Sequence, residues 1–311
     1  MHVTFIILGV LFLTIIAVGS YTFFAACRQK KRRNWLDPEE LKGSSTAKLY
    51  PYILHAHNWL SNHKVEDVYV TSKDGLELYG RWIPAENPKG TILLAHGYKS
   101  TPYIDFSLVL DVYHNLGMNM LIPDQRCHGK SEGKYITFGV KEWQDMACWV
   151  EYHNSNFGNY PLILSGLSMG ASTVLYMADE NLPANVKGMI ADCGFTSAYA
   201  IIGKVFRSVT HLPALPFLWV TDLCARTFGG FSLKQKDTRV TLRHSKYPVM
   251  LAHGLADDFV PCEMSREAYA ACVSPKELLL VEKAGHGYSF LKDRERYTQI
   301  VTAFLQRNLE E

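Results

Sequence analysis

Hydrophobic positions follow three different patterns along this chain. From Val3 to Cys27 they run without a single charged residue. As a helix that run would extend about 37 Å at ~1.5 Å per residue, enough to cross a ~30 Å hydrocarbon layer with some tilt. Further on, Glu66 to Thr71 and Leu76 to Pro84 alternate apolar with polar on either side of Ser72-Lys73-Asp74-Gly75, which is a hairpin signal. The third pattern is the short, continuous apolar run. It recurs at Thr91–Ala95, Asn119–Pro123, Pro161–Leu164, Lys187–Ala191, Pro248–Ala252 and Glu277–Val281. Runs of that length at helix-sized intervals predict strands of a parallel sheet buried on both faces. The chain therefore reads as α/β, with a mostly parallel sheet of about eight strands and helices on both faces.

One interval is too long for a simple crossover, since 55 residues separate Asp192 from Pro248. An insertion after a strand's C-terminal end falls on the ligand-binding edge of such a sheet, so residues from about 195 to 246 are expected to form a helical lid. Its stretch Leu212 to Val220 is almost wholly apolar. Either it packs on the core, or it meets a lipid surface beside the anchor. Three regions result: an anchor with its basic flank over 1–33, a membrane-proximal connector over 34–64, and an α/β domain over 65–311. The connector carries two short helical patterns, the second from about Tyr52 to Ser61, with Trp35 and Trp59 placed either to pack or to sit at an interface.

Charge changes the picture at the anchor. Only Met1 and His2 precede the apolar run, while Arg28, Lys30, Lys31, Arg32 and Arg33 follow it, with Lys42 nearby. That order disfavours a cleaved signal peptide and, by the positive-inside rule, puts the domain on the cytoplasmic side of a single-pass membrane protein. The competing reading takes Phe24-Ala25-Ala26-Cys27 as a lipoprotein cleavage box, which would lipidate Cys27 and place the domain outside. The whole chain of 311 residues carries 32 basic and 30 acidic residues, a formal +2, and offers nucleic acid no electrostatic footprint. Its seven cysteines are scattered, without CxxC pairs, which points to free thiols rather than a disulfide framework or a zinc site. No dinucleotide, P-loop or metalloprotease motif occurs, so neither cofactor nor metal is expected. Oligomeric state is not readable from the sequence.

The candidate chemistry centres on Leu162-Ile163-Leu164-Ser165-Gly166-Leu167-Ser168-Met169-Gly170, a strand running into Gly-x-Ser-x-Gly and then a helix. A tight strand-to-helix turn thrusts its serine out of the sheet, and only glycine leaves room for the neighbouring backbone. A serine hydroxyl needs a base and a group to orient that base. His286, in Ala284-Gly285-His286-Gly287, and Asp257, in His253-Gly254-Leu255-Ala256-Asp257-Asp258, follow later strands in the order Ser168, Asp257, His286. That is the chain order of the α/β-hydrolase fold.

From about residue 65 to 310 the chain resembles an α/β-hydrolase, and within that superfamily the membrane-anchored bacterial hydrolases related to serine aminopeptidase-like and cinnamoyl-esterase-like proteins. The resemblance rests on His96-Gly97-Tyr98, Asp124-Gln125-Arg126-Cys127-His128-Gly129-Lys130-Ser131, the Ser168 elbow, the Asp257 loop and Gly285-His286. The second of these departs from Asp-x-Arg-Gly-His-Gly-x-Ser by Cys127 in place of glycine. The resemblance implies that His286 deprotonates Ser168, that Asp257 rather than Asp258 orients His286, and that the N–H groups of Tyr98 and Met169 form the oxyanion hole. The substrate it implies is a small or medium acyl or aryl ester, with an amide or peptide as the alternative; a membrane-tethered binding protein without turnover is the reading outside enzymes. Asp192, His96 and His128 are expected to hold loops by hydrogen bonding. Phe217 and Trp219 either line an acyl pocket or pack the lid down. Whether the lid stretch packs on the core or meets lipid, removing residues 1–33 is expected to leave hydrolysis of a soluble short ester unchanged.

Overall fold

The computed structural model of the chain describes residues 2–29, 36, 37, 39 and 45–309. Lys30, Lys31, Arg32, Arg33, Trp35 and Lys42, which bear on the topology reading, lie outside the described residues. Eight strands form one sheet: β1 (Glu66–Thr71), β2 (Glu77–Ile83), β3 (Gly90–Ala95), β4 (Met118–Pro123), β5 (Leu162–Leu167), β6 (Val186–Asp192), β7 (Val249–Gly254) and β8 (Lys276–Val281). Their order is β1-β2-β4-β3-β5-β6-β7-β8. The hairpin strand β2 joins β4 antiparallel, and every pairing from β4 to β8 is parallel. Strands β3, β4 and β7 are buried at every position, which is why their sequences read as unbroken apolar runs instead of alternating.

Helices cover both faces of the sheet. Before the hairpin comes α1 (His2–Cys27), then α2 (Tyr50–Ser61), whose Ile53, Ala56 and Leu60 form a buried stripe at helical spacing and join one face's core. Trp59 packs against the same core, its ring stacked on His63. The described end of the connector is therefore part of the folded body. The other main helices are α3 (Glu142–Asn156), α4 (Met169–Leu175), α5 (Ala198–Thr210), α6 (Phe217–Cys224), α7 (Cys262–Ala271) and α8 (Arg294–Leu309). The insertion between β6 and β7 holds α5 and α6 and has a third core of its own, centred on Ile201, Phe206, Leu218 and Phe231.

Helix α1 does not stand apart from this body. Phe23 and Cys27 are fully buried in the insertion's core. At Gly19 the helix comes so close to α6 that a Cβ would meet Val220 Cβ at 2.6 Å and the Phe217 carbonyl at 2.7 Å. The Thr221 hydroxyl also donates to the Gly19 carbonyl at 3.0 Å. Carbonyls of the last helical turn have no partner within the helix. Here they accept from the Tyr98 hydroxyl (Ala26, 2.6 Å), the Lys99 ammonium (Ala25, 2.9 Å) and the Ile136 N–H (Cys27, 2.7 Å). From Val3 to Thr14, by contrast, every residue of the helix is exposed.

Candidate active site

The site is built at the C-terminal ends of the parallel strands. Ser168 follows β5 directly and opens α4, with φ 57° and ψ −114°, a backbone that an L-residue adopts only where its surroundings enforce it. They do so here. A Cβ at Gly170 would sit 1.8 Å from the Ala95 carbonyl oxygen, and one at Gly166 would sit 2.2 Å from the Gly170 backbone. The two glycines thus let β5 turn into α4 against β3, and the turn presents the serine side chain above the sheet.

His286 and Asp257 arrive from the loops after β8 and β7. His286 Nε2 lies 2.9 Å from Ser168 Oγ, and its Nδ1 lies 2.7 Å from Asp257 Oδ2. A carboxylate at Nδ1 fixes the hydrogen there and leaves Nε2 as an acceptor for the serine proton. The other carboxylate oxygen, Oδ1, accepts the N–H groups of Phe259 (2.9 Å) and Val260 (2.8 Å). Burial raises the Asp257 carboxyl, but hydrogen bonds from His253 and His286 outweigh it and hold the group well below the usual carboxylate range.

Two residues at this site carry roles that sequence reasoning did not assign. His253, fully buried at the end of β7, has Nε2 3.2 Å from Asp257 Oδ2 and 2.9 Å from the Val260 carbonyl, while its Nδ1 meets the Ser265 hydroxyl at 2.6 Å. Both neighbours of Nε2 are acceptors, so the hydrogen sits there and braces the Asp257 loop. The signal was a histidine inside an apolar strand, a buried polar group that requires partners. Asp105 accepts the Gly97 N–H and the Ser100 hydroxyl, each at 2.5 Å, and burial pushes its carboxyl up to about 6 against those bonds. Nothing in the sequence around Asp105 singles it out.

The competing candidates fall elsewhere. Asp258 is exposed, and its backbone carbonyl accepts from Lys204. Asp192 accepts from Ser289 at 3.0 Å and so anchors the loop after β8. His96 Nε2 accepts the Gln125 N–H (2.9 Å) and its Nδ1–H donates to the Gly97 carbonyl (2.9 Å). His128 Nε2 accepts the Lys99 N–H (3.0 Å) and its Nδ1–H donates to the Arg126 carbonyl (2.9 Å). These two buried rings tie the loop after β3 to the loop after β4. Burial holds His96 down to about 4 and His128, with the charge of His96 added, to about 3. Cys127 has φ 66°, which explains why the resembling families have glycine there: the position is left-handed, and cysteine occupies it with strain.

Tyr98 and Met169 flank Ser168. A Cβ on Gly97 would lie 3.3 Å from Ser168 Cβ, so the backbone leading into Tyr98 passes beside the serine, and Met169 is the first residue of α4. Two cavities meet at Ser168. One, of about 610 Å³, is a mixed cleft in which Lys99, Ser100, Asp105 and His286 share the walls with Leu49, Ile104, Leu108 and Leu167. The other, of about 290 Å³, is lined almost wholly by apolar side chains of α1 and α5. Phe217 and Trp219 are in neither wall. Phe217 packs on Phe206 with centroids 5.0 Å apart, and Trp219 points outward at 67% exposure. Cys193, Asp257 and His286 bring ligand atoms within 4.8 Å of one another. Asp257 and His286 are engaged with each other, and burial raises the Cys193 thiol far above its ordinary range, so this trio is poorly suited to hold a cation.

Comparison with known proteins agrees with this fold. Residues 86–228 match the family model of serine aminopeptidase, S33. The chain is 27% identical over 237 residues to the Bacillus subtilis protein YqkD, covering 76% of this chain and 77% of that one. It is 25% identical over 245 residues to the Saccharomyces cerevisiae membrane protein YNL320W, covering 77% and 78%. Among solved structures it is similar to the Pyrococcus furiosus esterase Pf2001, with a TM-score of 0.65 and 26% identity over 81% of this chain and 95% of that one. Fold, strand-end loops and relatives converge, and the chain belongs to the α/β-hydrolase superfamily.

Proposed function

We propose that the protein is a serine hydrolase that cleaves carboxylic esters through an acyl-enzyme, with Ser168 as nucleophile, His286 as general base and acid, and Asp257 as the group that orients His286. The observation that carries this reading is the continuous relay from Asp257 Oδ2 through His286 to Ser168 Oγ, at 2.7 and 2.9 Å. In the first half-reaction Nε2 takes the hydroxyl proton as Oγ bonds to the carbonyl carbon. The negative charge on the carbonyl oxygen is met by the N–H groups of Tyr98 and Met169, each able to lower the barrier by roughly 3 kcal/mol. Collapse breaks the bond to the alcohol, which leaves with the proton from His286. Water then loses a proton to His286 and attacks the acyl carbon, releasing the acid and restoring Ser168.

An amide or peptide bond is the alternative, because the same groups cleave it and the family model that matches is that of a serine aminopeptidase. A set of p-nitrophenyl esters assayed beside aminoacyl arylamides, with Ser168→Ala as blank, separates the two. Faster ester turnover is the expected result, and turnover of arylamides alone would transfer the assignment to peptidases.

The domain works at a membrane in this proposal. The apolar α1, long enough to cross a bilayer, supports attachment, and the basic residues after it support a cytoplasmic domain. Protease added to inside-out vesicles should cut the domain and protease added to right-side-out vesicles should not; the reverse pattern would invert the topology.

A further inference from the structure

The apolar cavity beside Ser168 is walled by the membrane helix itself. Val18, Thr22 and Ala25 of α1 line one side and Ile201, Val205 and Val209 of α5 the other, with Ser168 at the inner end. A helix that serves only as a tether has no reason to contribute the wall of a cavity that reaches the candidate nucleophile. Its exposed part also raises a problem of length. Residues 2–14 extend about 20 Å, short of the ~30 Å hydrocarbon layer. For α1 to be fully immersed, the half that packs on the insertion must enter the lipid as well, and the insertion is suited to that. Leu212, Leu215, Trp219, Leu223 and Phe228 are all exposed. Val209 and Tyr21, at the outer end of the cavity, are exposed too. Unburied apolar side chains in such a group mark a membrane or partner surface, and the helix packed among them selects the membrane.

We propose that the gap between α1 and α5 is an acyl channel: the chain of a long-chain ester passes from the bilayer between the two helices and seats its carbonyl at Ser168, while the alcohol part lies in the larger, mixed cleft. This rests on the serine-hydrolase reading and narrows it to lipid-like esters with an extended acyl chain. The site's asymmetry fits such a molecule: one cavity is almost wholly apolar, while the larger cleft adds Lys99, Ser100 and Asp105 among its apolar residues. The proposal also gives α1 a second task. Through the Tyr98 hydroxyl and the Lys99 ammonium its last turn is bonded to the loop that carries the proposed oxyanion donor. Removing residues 1–33 would open the channel wall and free that loop, so even a short soluble ester should be cleaved more slowly. That reverses the expectation drawn from the sequence, which held short-ester turnover unchanged without residues 1–33.

The test uses the full chain in lipid nanodiscs and compares p-nitrophenyl decanoate with p-nitrophenyl acetate, for the unmodified protein and for Val205→Trp and Ala25→Trp. Filling the channel from either wall should lower the decanoate-to-acetate ratio of kcat/KM about tenfold, as when roughly two methylene groups lose their burial. An unchanged ratio in both variants would overturn the channel. Should the tryptophan variants fail to fold, alkyl fluorophosphonates on the unmodified protein decide: a long-chain probe should label Ser168 about tenfold faster than a short-chain one, and equal rates would overturn the proposal. Acetate turnover or short-probe labelling that persists while the chain-length preference is missing refutes the channel alone. Absence of both labelling and turnover refutes the hydrolase reading, and the channel with it.

Discussion

Ser168 divides the molecule into two regions built by different means. On one side, the loops after β3, β4, β7 and β8 are pinned by hydrogen bonds of buried side chains: His96 to Gln125, His128 to Lys99, His253 to Val260, Asp257 to Phe259 and Val260, and Ser289 to Asp192. On the other side, α1 packs on α6, roughly two hundred residues away in sequence, with one close backbone approach at Gly19, and faces α5 across the apolar cavity. Polar geometry at strand ends fixes reacting atoms to fractions of an ångström, as proton transfer requires. Apolar helix packing fixes only a shape and a dielectric, which is what selection of an acyl chain requires.

The contrast breaks most severely on the polar side. Ser168→Ala and His286→Ala should each lower kcat by roughly 10⁵- to 10⁶-fold, and the double variant should be no worse than either, because the two act as one unit. Asp257→Asn should cost less, on the order of 10⁴-fold. Additive losses in steady-state kinetics would show that the three residues do not work together. Asp258→Asn should change kcat less than about twofold; a loss as large as that expected for Asp257→Asn would move the acid assignment.

On the apolar side, Gly19→Leu forces a side chain into Val220 and the Phe217 carbonyl, a clash that typically costs about 1–3 kcal/mol. Limited proteolysis of the α1 to α6 contact should accelerate accordingly, and acetate turnover should fall several-fold through the loosened Tyr98 loop. Unchanged proteolysis would mean that α1 is not held where described.

A further effect concerns pH. His96 in the folded chain is held down to about 4, whereas an unfolded histidine titrates near 6.5. The unfolded state therefore binds the extra proton between those values. The stabilisation is complete above pH 6.5 and is lost as pH falls toward 4, by roughly 3 kcal/mol at most. Denaturant titrations of His96→Gln against the parent should show a flatter acid limb for the variant. Parallel limbs would mean that His96 does not contribute.

The same division explains what the sequence disclosed. Strand runs, the Gly166-Ser168-Gly170 elbow and the strand-end positions of Asp257 and His286 are local patterns, and local steric rules convert them directly into geometry. The contact of Gly19 with α6, the bonds from Tyr98 and Lys99 to α1 and the brace that Asp105 gives Gly97 are long-range pairings. No periodicity encodes them. The Leu212 to Val220 stretch was ambiguous for a physical reason: Leu218 and Val220 pack inward while Leu212, Leu215 and Trp219 point out, so one short segment serves both surfaces.

The central claim is that Ser168 is a nucleophile activated by His286. Intact full-length protein treated with a fluorophosphonate tests it most directly, with the modified peptide read by mass spectrometry. Ser168 should carry the phosphonyl group at one per chain, labelling should be abolished in Ser168→Ala, and the rate should fall by orders of magnitude in His286→Ala. Equal labelling of parent and Ser168→Ala, or none of the parent, would contradict the account.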